Sequence, residues 1–224
     1  NLTESDIMVD SPTNNFATFN PLRVEAGKVP TFLEGNLKAV GSSVTNSNHA
    51  GSSSMAMTTG KWYAEFLLTD ATGQGYLGIV PTTEIVIDAI FDTNAYAYEG
   101  STGKLRDHGT YRSGWGDTFT TGDLISIAVD LDNSNVYFAK NNVWQNSGVP
   151  TSGATGTGSG NTSAIVSDTY EFAVGDLTGA TSGSWHANFG QDSSFAGTKT
   201  AQGNQDSNDI GDFYYTPPTG FLAL

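Results

Sequence analysis

Apolar and polar residues alternate along much of this chain with a period of two, which is the pattern of β-strands rather than of helices. Gly, Ser, Thr and Asn interrupt this pattern every ten or so residues, as turns do between short strands. The stretch 61–68 places four apolar residues on one face, namely Trp62, Ala64, Phe66 and Leu68. The pattern predicts a strand there with one face in a core.

A second alternating stretch covers residues 124–131. It places Ile125, Ile127 and Val129 on one face and Ser126 on the other, which predicts a half-buried antiparallel strand. Residues 132–135 (Asp-Asn-Ser-Asn) then precede another apolar run, and residues of this kind tolerate the positive φ of hairpin turns. We therefore predict a β-hairpin over residues 124–140.

The remaining strands are expected near residues 36–40, 75–80, 94–98, 170–177 and 184–190. No stretch has a convincing helical face, and residues 84–91 are compatible with either a short helical turn or a strand. The predicted fold is all-β, a two-sheet antiparallel sandwich with Trp62, Ile125, Ile127 and Val129 inside. Burying each of these side chains contributes about 1.5–3 kcal/mol.

The length of 224 residues fits one β-sandwich domain, since twenty-five aromatic residues supply large buried areas. We expect a lead-in arm over about residues 1–33 and a strand-like docking of residues 220–224. Residues 151–163 are almost wholly Gly, Ser, Thr and Ala, which bury little apolar surface. This glycine-rich segment is predicted to be a mobile loop that extends from the sandwich.

The charge balance is strongly acidic, with nine Lys and Arg against twenty-three Asp and Glu, a net charge of −14. Such a surface repels a phosphate backbone, so nucleic acid is not an expected partner. There is no cysteine, which excludes disulfides and thiolate metal sites. No apolar run approaches the roughly twenty residues of a membrane span. The chain begins without Met and ends on an apolar stretch, so a piece of a larger protein is expected.

Catalytic and metal-binding patterns are weak throughout. Glu65 has no acidic neighbour two or four positions away on its strand, and Asp130 with Asp132 alternate correctly but enter a hairpin turn, which favours a structural role. The three histidines, His49, His108 and His186, lack the spacing of metal ligands, and no nucleophile elbow is present. We predict no catalytic residue, no metal and no cofactor. Residues 206–212 contain oxygen ligands suited to Ca²⁺, but solvated turns are the favoured interpretation.

Five motifs in a fixed order resemble those of SPRY domains. They are Gly60–Phe66, Gly75–Val80, Tyr96–Tyr98 with Gly100, residues 122–132 followed by 136–142 (Gly-Asp-x-Ile and Phe-x-Lys-Asn), and Asn188–Gln191. Ser126 and Asn142 stand where the family usually has Gly, and the insert after Pro150 is longer than most. The resemblance implies a lectin-like, concanavalin-like jelly roll that binds partners through loops at one end.

The lead-in segment 10–16, with Asn20–Pro21, resembles a segment that precedes SPRY domains in bacteriophage and marine-virus proteins. This resemblance implies a virion surface protein, such as a tail fibre, a head fibre or a capsid decoration. The expected partners are other virion proteins, a further protein or a cell-surface glycan, and self-association into a homo-oligomer is also compatible.

One segment combines the residue types that dominate binding hot spots. Arg106, His108, Tyr111, Arg112 and Trp115 lie together in a chain with only nine basic residues. We predict that they form a partner-binding surface on a connecting loop, although Trp115 is equally suited to close the core beneath that loop. Three functions stay open: a protein-interaction module, a glycan-binding lectin-like module, and a structural spacer without a ligand.

Overall fold

The computed structural model describes residues 14–41, 49–72, 74–83, 94–162, 165, 169–177 and 183–224. These residues contain thirteen β-strands and two short 3-10 helices, Gln145–Ser147 and Pro150–Thr155. The strands are β1 (Thr31–Leu33), β2 (Lys38–Val40), β3 (His49–Ser52), β4 (Lys61–Asp70), β5 (Gln74–Pro81), β6 (Tyr96–Glu99), β7 (Leu105–Asp107), β8 (Thr110–Arg112), β9 (Leu124–Asp130), β10 (Asn135–Lys140), β11 (Val143–Trp144), β12 (Tyr170–Leu177) and β13 (Ser184–Asn188).

The strands form two antiparallel sheets. The seven-stranded sheet has the order β1-β2-β13-β4-β9-β10-β11, and the six-stranded sheet has the order β3-β12-β5-β6-β7-β8. The predicted all-β sandwich is confirmed, and β9 and β10 form the predicted hairpin. Residues 84–91 and the first part of the lead-in arm lie outside the described residues.

The main core lies between the two sheets. Ile125, Ile127 and Val129 are fully buried there, as predicted, and Phe66 of β4 packs against Phe172 of β12 with ring centroids 6.2 Å apart. The prediction that Trp62 lies inside the sandwich is wrong, because this residue is only partly buried at the rim of the core. Its indole N–H donates to the carbonyl of Thr59 at 2.7 Å, which holds the ring at the surface end of the strand.

The outer face of the seven-stranded sheet is also covered, which corrects the prediction of half-buried strands. Every residue of β9 is buried, because residues 190–224, here called the C-terminal strap, run across that face. The ring of Tyr63 on β4 forms a T-shaped pair with the ring of Phe213 in the strap, with centroids 5.1 Å apart. Leu67 of β4 also packs against the strap, in an apolar cluster with Phe195.

The end of the strap is tied to β4 by backbone hydrogen bonds. The amide of Tyr63 donates to Leu222 O at 2.8 Å, and the amide of Leu222 donates to Lys61 O at 2.9 Å. Residues 220–224 therefore dock as predicted, but through a single parallel bridge between Trp62 and Leu222 rather than as a strand.

The glycine-rich segment has more local structure than its composition predicts. Asn161 Nδ2 donates to Ser134 O at 2.7 Å, and Asn161 Oδ1 accepts from the amide of Val136 at 3.1 Å. The amide of Gly160 donates to Val136 O, which extends this attachment to the β9–β10 hairpin. Composition measures apolar burial alone, so it missed these polar attachments; the mobility of the segment stays a prediction.

Candidate functional site

The segment predicted as a binding loop is a β-hairpin at the edge of the six-stranded sheet, formed by β7 and β8. Its two turn residues, His108 and Gly109, have φ of 44° and 86°. Positive φ at both central positions is the signature of a tight type I′ turn, which matches the twist of the strands that it joins. The loop prediction was wrong because a strand of three residues is too short to show an alternating pattern.

An aromatic ring beside two basic groups lies on the outer side of this hairpin. Arg106 and Tyr111 are opposite each other on β7 and β8, and the guanidinium carbon lies 4.5 Å from the ring centroid. Lys104 Nζ lies 6.0 Å from the same centroid. Arg106 is buried, whereas 51% of the Tyr111 surface is exposed. The cation–π contact thus fixes an aromatic ring that faces solvent.

The other predicted residues separate into surface and core. Arg112 is partly buried, and its Nη1 donates to Gly160 O at 2.9 Å. His108 is exposed, with its ring stacked on Tyr96 at a centroid distance of 6.0 Å. Trp115 lies in the core, 5% exposed and edge-on to Phe138 at 5.7 Å. Trp115 therefore closes the core, the alternative that the sequence left open, and it is not part of the candidate surface.

A polar cleft of about 350 Å³ lies next to the hairpin, and the sequence analysis missed it. Its lining carries amide and hydroxyl groups and no aromatic ring, and it consists of residues 133–135, 154–156, 159, 161 and 162. Asp107 of β7 joins the hairpin to this cleft, because its Oδ2 accepts from Thr162 N at 2.9 Å and from Thr162 Oγ1 at 2.6 Å. Asp107 and Arg112, which contact residues 160–162, face the core side of the sheet, whereas Arg106 and Tyr111 face its outer side. Residues 104–112 and the cleft, which meet at the edge strand β8, are together called the hairpin–cleft surface.

Comparison with known proteins supports the fold independently. The SPRY domain of human HERC1 superposes with a TM-score of 0.60 at 14% sequence identity, and the match covers 75% of this chain and 96% of that chain. The fold is that of a SPRY domain. No protein-family model and no curated protein sequence matches the chain. The likeness therefore concerns the architecture, which the five sequence motifs had predicted.

Within this SPRY fold a fully buried carboxyl group binds the strap. Glu65 on β4 has no exposed surface, and its oxygens accept from the amides of Tyr214 and Tyr215 at 2.8 and 2.7 Å. Asn188 Nδ2 donates to it at 3.2 Å and the Tyr63 hydroxyl at 3.0 Å. Burial raises the pKa of Glu65 to about 7, outweighing the hydrogen bonds that favour its ionised form. A carboxyl group sealed in this way holds chain segments together and is closed to a substrate.

The other acidic residues singled out from the sequence also bind the chain itself. Asp130 pairs with Lys61 at 2.8 Å, and Asp132 accepts from the amide of Gly60 at 2.8 Å. In the strap, Asp206 accepts from the amides of Asn208 and Ile210 at 2.8 and 3.1 Å, the pattern of a capped turn. These contacts agree with the structural interpretation of each residue.

Two further classes of site have no candidate among the described residues. His49, His108 and His186 lie on β3, in the hairpin turn and on β13, and no group of three or more His, Cys, Asp or Glu is placed to hold a metal ion in the part of the chain that the structure describes. No helix among the described residues is long and apolar enough to cross a membrane.

Proposed function

We propose that this chain is a non-catalytic recognition module of the SPRY type that binds a protein segment on the hairpin–cleft surface. Tyr111 carries the proposal, because its ring is exposed and yet held by Arg106. An aromatic ring that is already fixed loses little freedom on binding, and aromatic and Arg side chains dominate binding hot spots. The polar groups of the adjoining cleft fix the position of the bound segment along the hairpin.

The partner segment is acidic. Three of the nine basic residues of the chain, Lys104, Arg106 and Arg112, lie within residues 104–112, whereas the whole chain carries a net charge of −14. An acidic partner is repelled by most of such a surface and is steered to this hairpin. The placement of Glu65 under the strap supports a role without catalysis, since this carboxyl group, the pKa of which is raised to about 7, is inaccessible.

The test uses the chain as the target for selection of displayed random peptides, followed by affinity measurement with the selected peptides. Replacing Tyr111 and Arg112 together by Ala is expected to weaken binding at least about tenfold, an affinity loss of about 1.4 kcal/mol. Val143→Ala is the matched control, because Val143 is 64% exposed on β11 of the other sheet. Equal affinity of the double variant and the original chain, or selection of peptides without acidic residues, contradicts the proposal.

Glycan binding is a second candidate, favoured by the cleft alone. A volume of about 350 Å³ and a lining of amide and hydroxyl groups suit a polar sugar ring. A glycan array distinguishes the two functions, since binding that is lost in Thr155→Ala but kept in the Tyr111 and Arg112 double variant assigns the cleft to a glycan.

The virion location is also a proposal, supported by the resemblance of the lead-in segment to those of phage and marine-virus proteins. Mass spectrometry of purified particles and antibody labelling of intact ones test it. The expected result is a surface-exposed component, and absence from the particles contradicts it.

A further inference from the structure

A small cavity lies between the two sheets, away from the hairpin–cleft surface. Its volume is about 10 Å³, and residues of β2 and β13 of one sheet and of β3 and β12 of the other line it. Most of its lining is apolar or Gly, but three side chains with polar atoms line it as well: His49, Asp176 and Trp185. His49 and Asp176 are paired across β3 and β12, whereas Trp185 comes from the opposite sheet.

One polar atom of each of these side chains is buried and has no hydrogen-bond partner among the described residues. The atoms are His49 Nδ1, Asp176 Oδ1 and Trp185 Nε1, on side chains of residues that are 3%, 4% and 2% exposed. The second carboxyl oxygen of Asp176 accepts from the amide of Gly183 at 2.9 Å. Folded proteins rarely leave such atoms unpaired, so three around one cavity indicate a shared partner.

The chemistry of the three atoms defines that partner. The indole N–H of Trp185 can only donate, and an ionised Asp176 can only accept. Burial lowers the pKa of His49, so its ring is neutral near pH 7, and in the tautomer with the proton on Nε2 the Nδ1 atom accepts. The cavity therefore presents two acceptors and one donor. A cation cannot accept from Trp185, and an anion cannot donate to Asp176.

We propose that one water molecule binds in this cavity and bridges the two sheets. Water donates two hydrogen bonds and accepts at least one, which matches two acceptors and one donor. A cavity needs about 10–15 Å³ to hold a single water, so a larger ligand does not fit. The water accepts from Trp185 of the seven-stranded sheet and donates to His49 and Asp176 of the six-stranded sheet.

The first test is nuclear magnetic resonance of the whole chain in water, with the four indole N–H signals assigned by Trp→Phe variants. A long-lived water is expected to give a cross-peak between the Trp185 indole proton and the water resonance. The sign of this cross-peak is expected to be that of dipolar contact, which distinguishes it from proton exchange. Trp115 is the matched control, because its Nε1 is also buried and unpartnered but its side chain does not line this cavity. A dipolar peak at Trp185 and none at Trp115 supports the proposal; no peak at either, or equal peaks at both, overturns it.

The second test is a crystal structure of the same chain. One ordered water is expected about 2.7–3.2 Å from the three named atoms. A dry cavity overturns the proposal, and so does a rotation of His49 that pairs it directly with Asp176.

Discussion

The outer face of the seven-stranded sheet is covered by the C-terminal strap, whereas the β7–β8 hairpin leaves the aromatic ring of Tyr111 in solvent. Both regions contain tyrosines beside charged residues. Under the strap, Tyr63 lies beside Glu65, and both are fully buried. On the hairpin, Tyr111 stacks on Arg106 and keeps 51% of its surface exposed.

This difference shows that residue type does not distinguish a structural site from a binding site. The polar atoms of Glu65 and Tyr63 are hydrogen-bonded to other parts of the chain, so they are not available to a binding partner. Tyr111 keeps one face for solvent while its other face is held by a cation. The available surface, and not the presence of charged or aromatic residues, marks the hairpin as the candidate site.

The largest expected effect is the loss of the buried carboxyl group. Glu65→Ala leaves the amides of Tyr214 and Tyr215 without their acceptor, at a cost of about 1–3 kcal/mol for each buried donor. It also removes one of the two partners of the Tyr63 hydroxyl and of Asn188 Nδ2. We expect the free energy of unfolding to fall by about 5 kcal/mol, measured by chemical denaturation. Glu25→Ala is the control, because Glu25 forms an ion pair with Lys28 near the surface and its loss costs less than about 1 kcal/mol. A change below about 1 kcal/mol for Glu65→Ala rules out a structural role for this residue.

The second prediction contrasts two aromatic residues of the same segment. Trp115→Ala removes a buried ring from the core and is expected to lower the free energy of unfolding by about 4 kcal/mol. Tyr111→Ala removes a ring that is half-exposed, at a cost of less than about 1 kcal/mol for the lost contact with Arg106. Thermal denaturation of both variants is the measurement. If the two variants lose similar amounts of unfolding free energy, the assignment of Trp115 to the core and Tyr111 to the surface is contradicted.

The third prediction concerns pH. The pKa of Glu65 in the folded chain is about 7, above its ordinary value of 4.5, so folding favours the protonated form. Its contribution to stability is fully present below pH 4.5 and is lost as the pH rises through about 7. The loss is about 3 kcal/mol. Denaturation at pH 5 and pH 8 measures it, and Glu65→Gln is expected to flatten this part of the profile. An equal slope in the variant assigns the pH dependence to other groups.

The last prediction concerns the wall of the cleft. Asn161→Ala removes the hydrogen bonds to Ser134 and Val136, at a cost of about 2 kcal/mol. Hydrogen exchange is expected to show a protected amide at Gly160 in the original chain and faster exchange there in the variant. Fast exchange throughout residues 153–162 in both proteins supports instead the mobile loop predicted from composition.

The sequence predicts the strands that alternate and misses the contacts that join distant segments. The alternation in residues 124–131 locates β9 and its inner face, because Ile125, Ile127 and Val129 share one side. The same pattern marks Ser126 as solvent-facing, yet Ser126 is buried. Its cover comes from a strap far along the chain, which local periodicity cannot reveal. Glu65 illustrates the same limit, since the two amides that it accepts from are 149 and 150 positions away.

The residue types of segment 106–115 singled it out as a candidate site, but they did not predict its shape. Arg106, His108, Tyr111 and Arg112 do share one tight hairpin. Arg106 and Tyr111 face its outer side, however, whereas Arg112 lies opposite the core residue Leu105 and faces the other side. The split between exposed Tyr111 and buried Trp115 depends on which side of the sheet each faces. The cleft was missed because Asn and Thr side chains at turns are common, and only the packing of residues 153–162 against the β9–β10 hairpin brings them together.

The strap has a consequence for the order of folding. Residues 212–215 leave the ribosome after every strand of both sheets, so Tyr63, Leu67 and the carboxyl group of Glu65 stay uncovered while the rest of the sandwich assembles. Contacts between such distant segments form slowly, and an uncovered apolar sheet face promotes aggregation during that interval. Docking of the strap is therefore expected to be a late step, and the yield of soluble chain depends on how quickly the strap reaches the sheet.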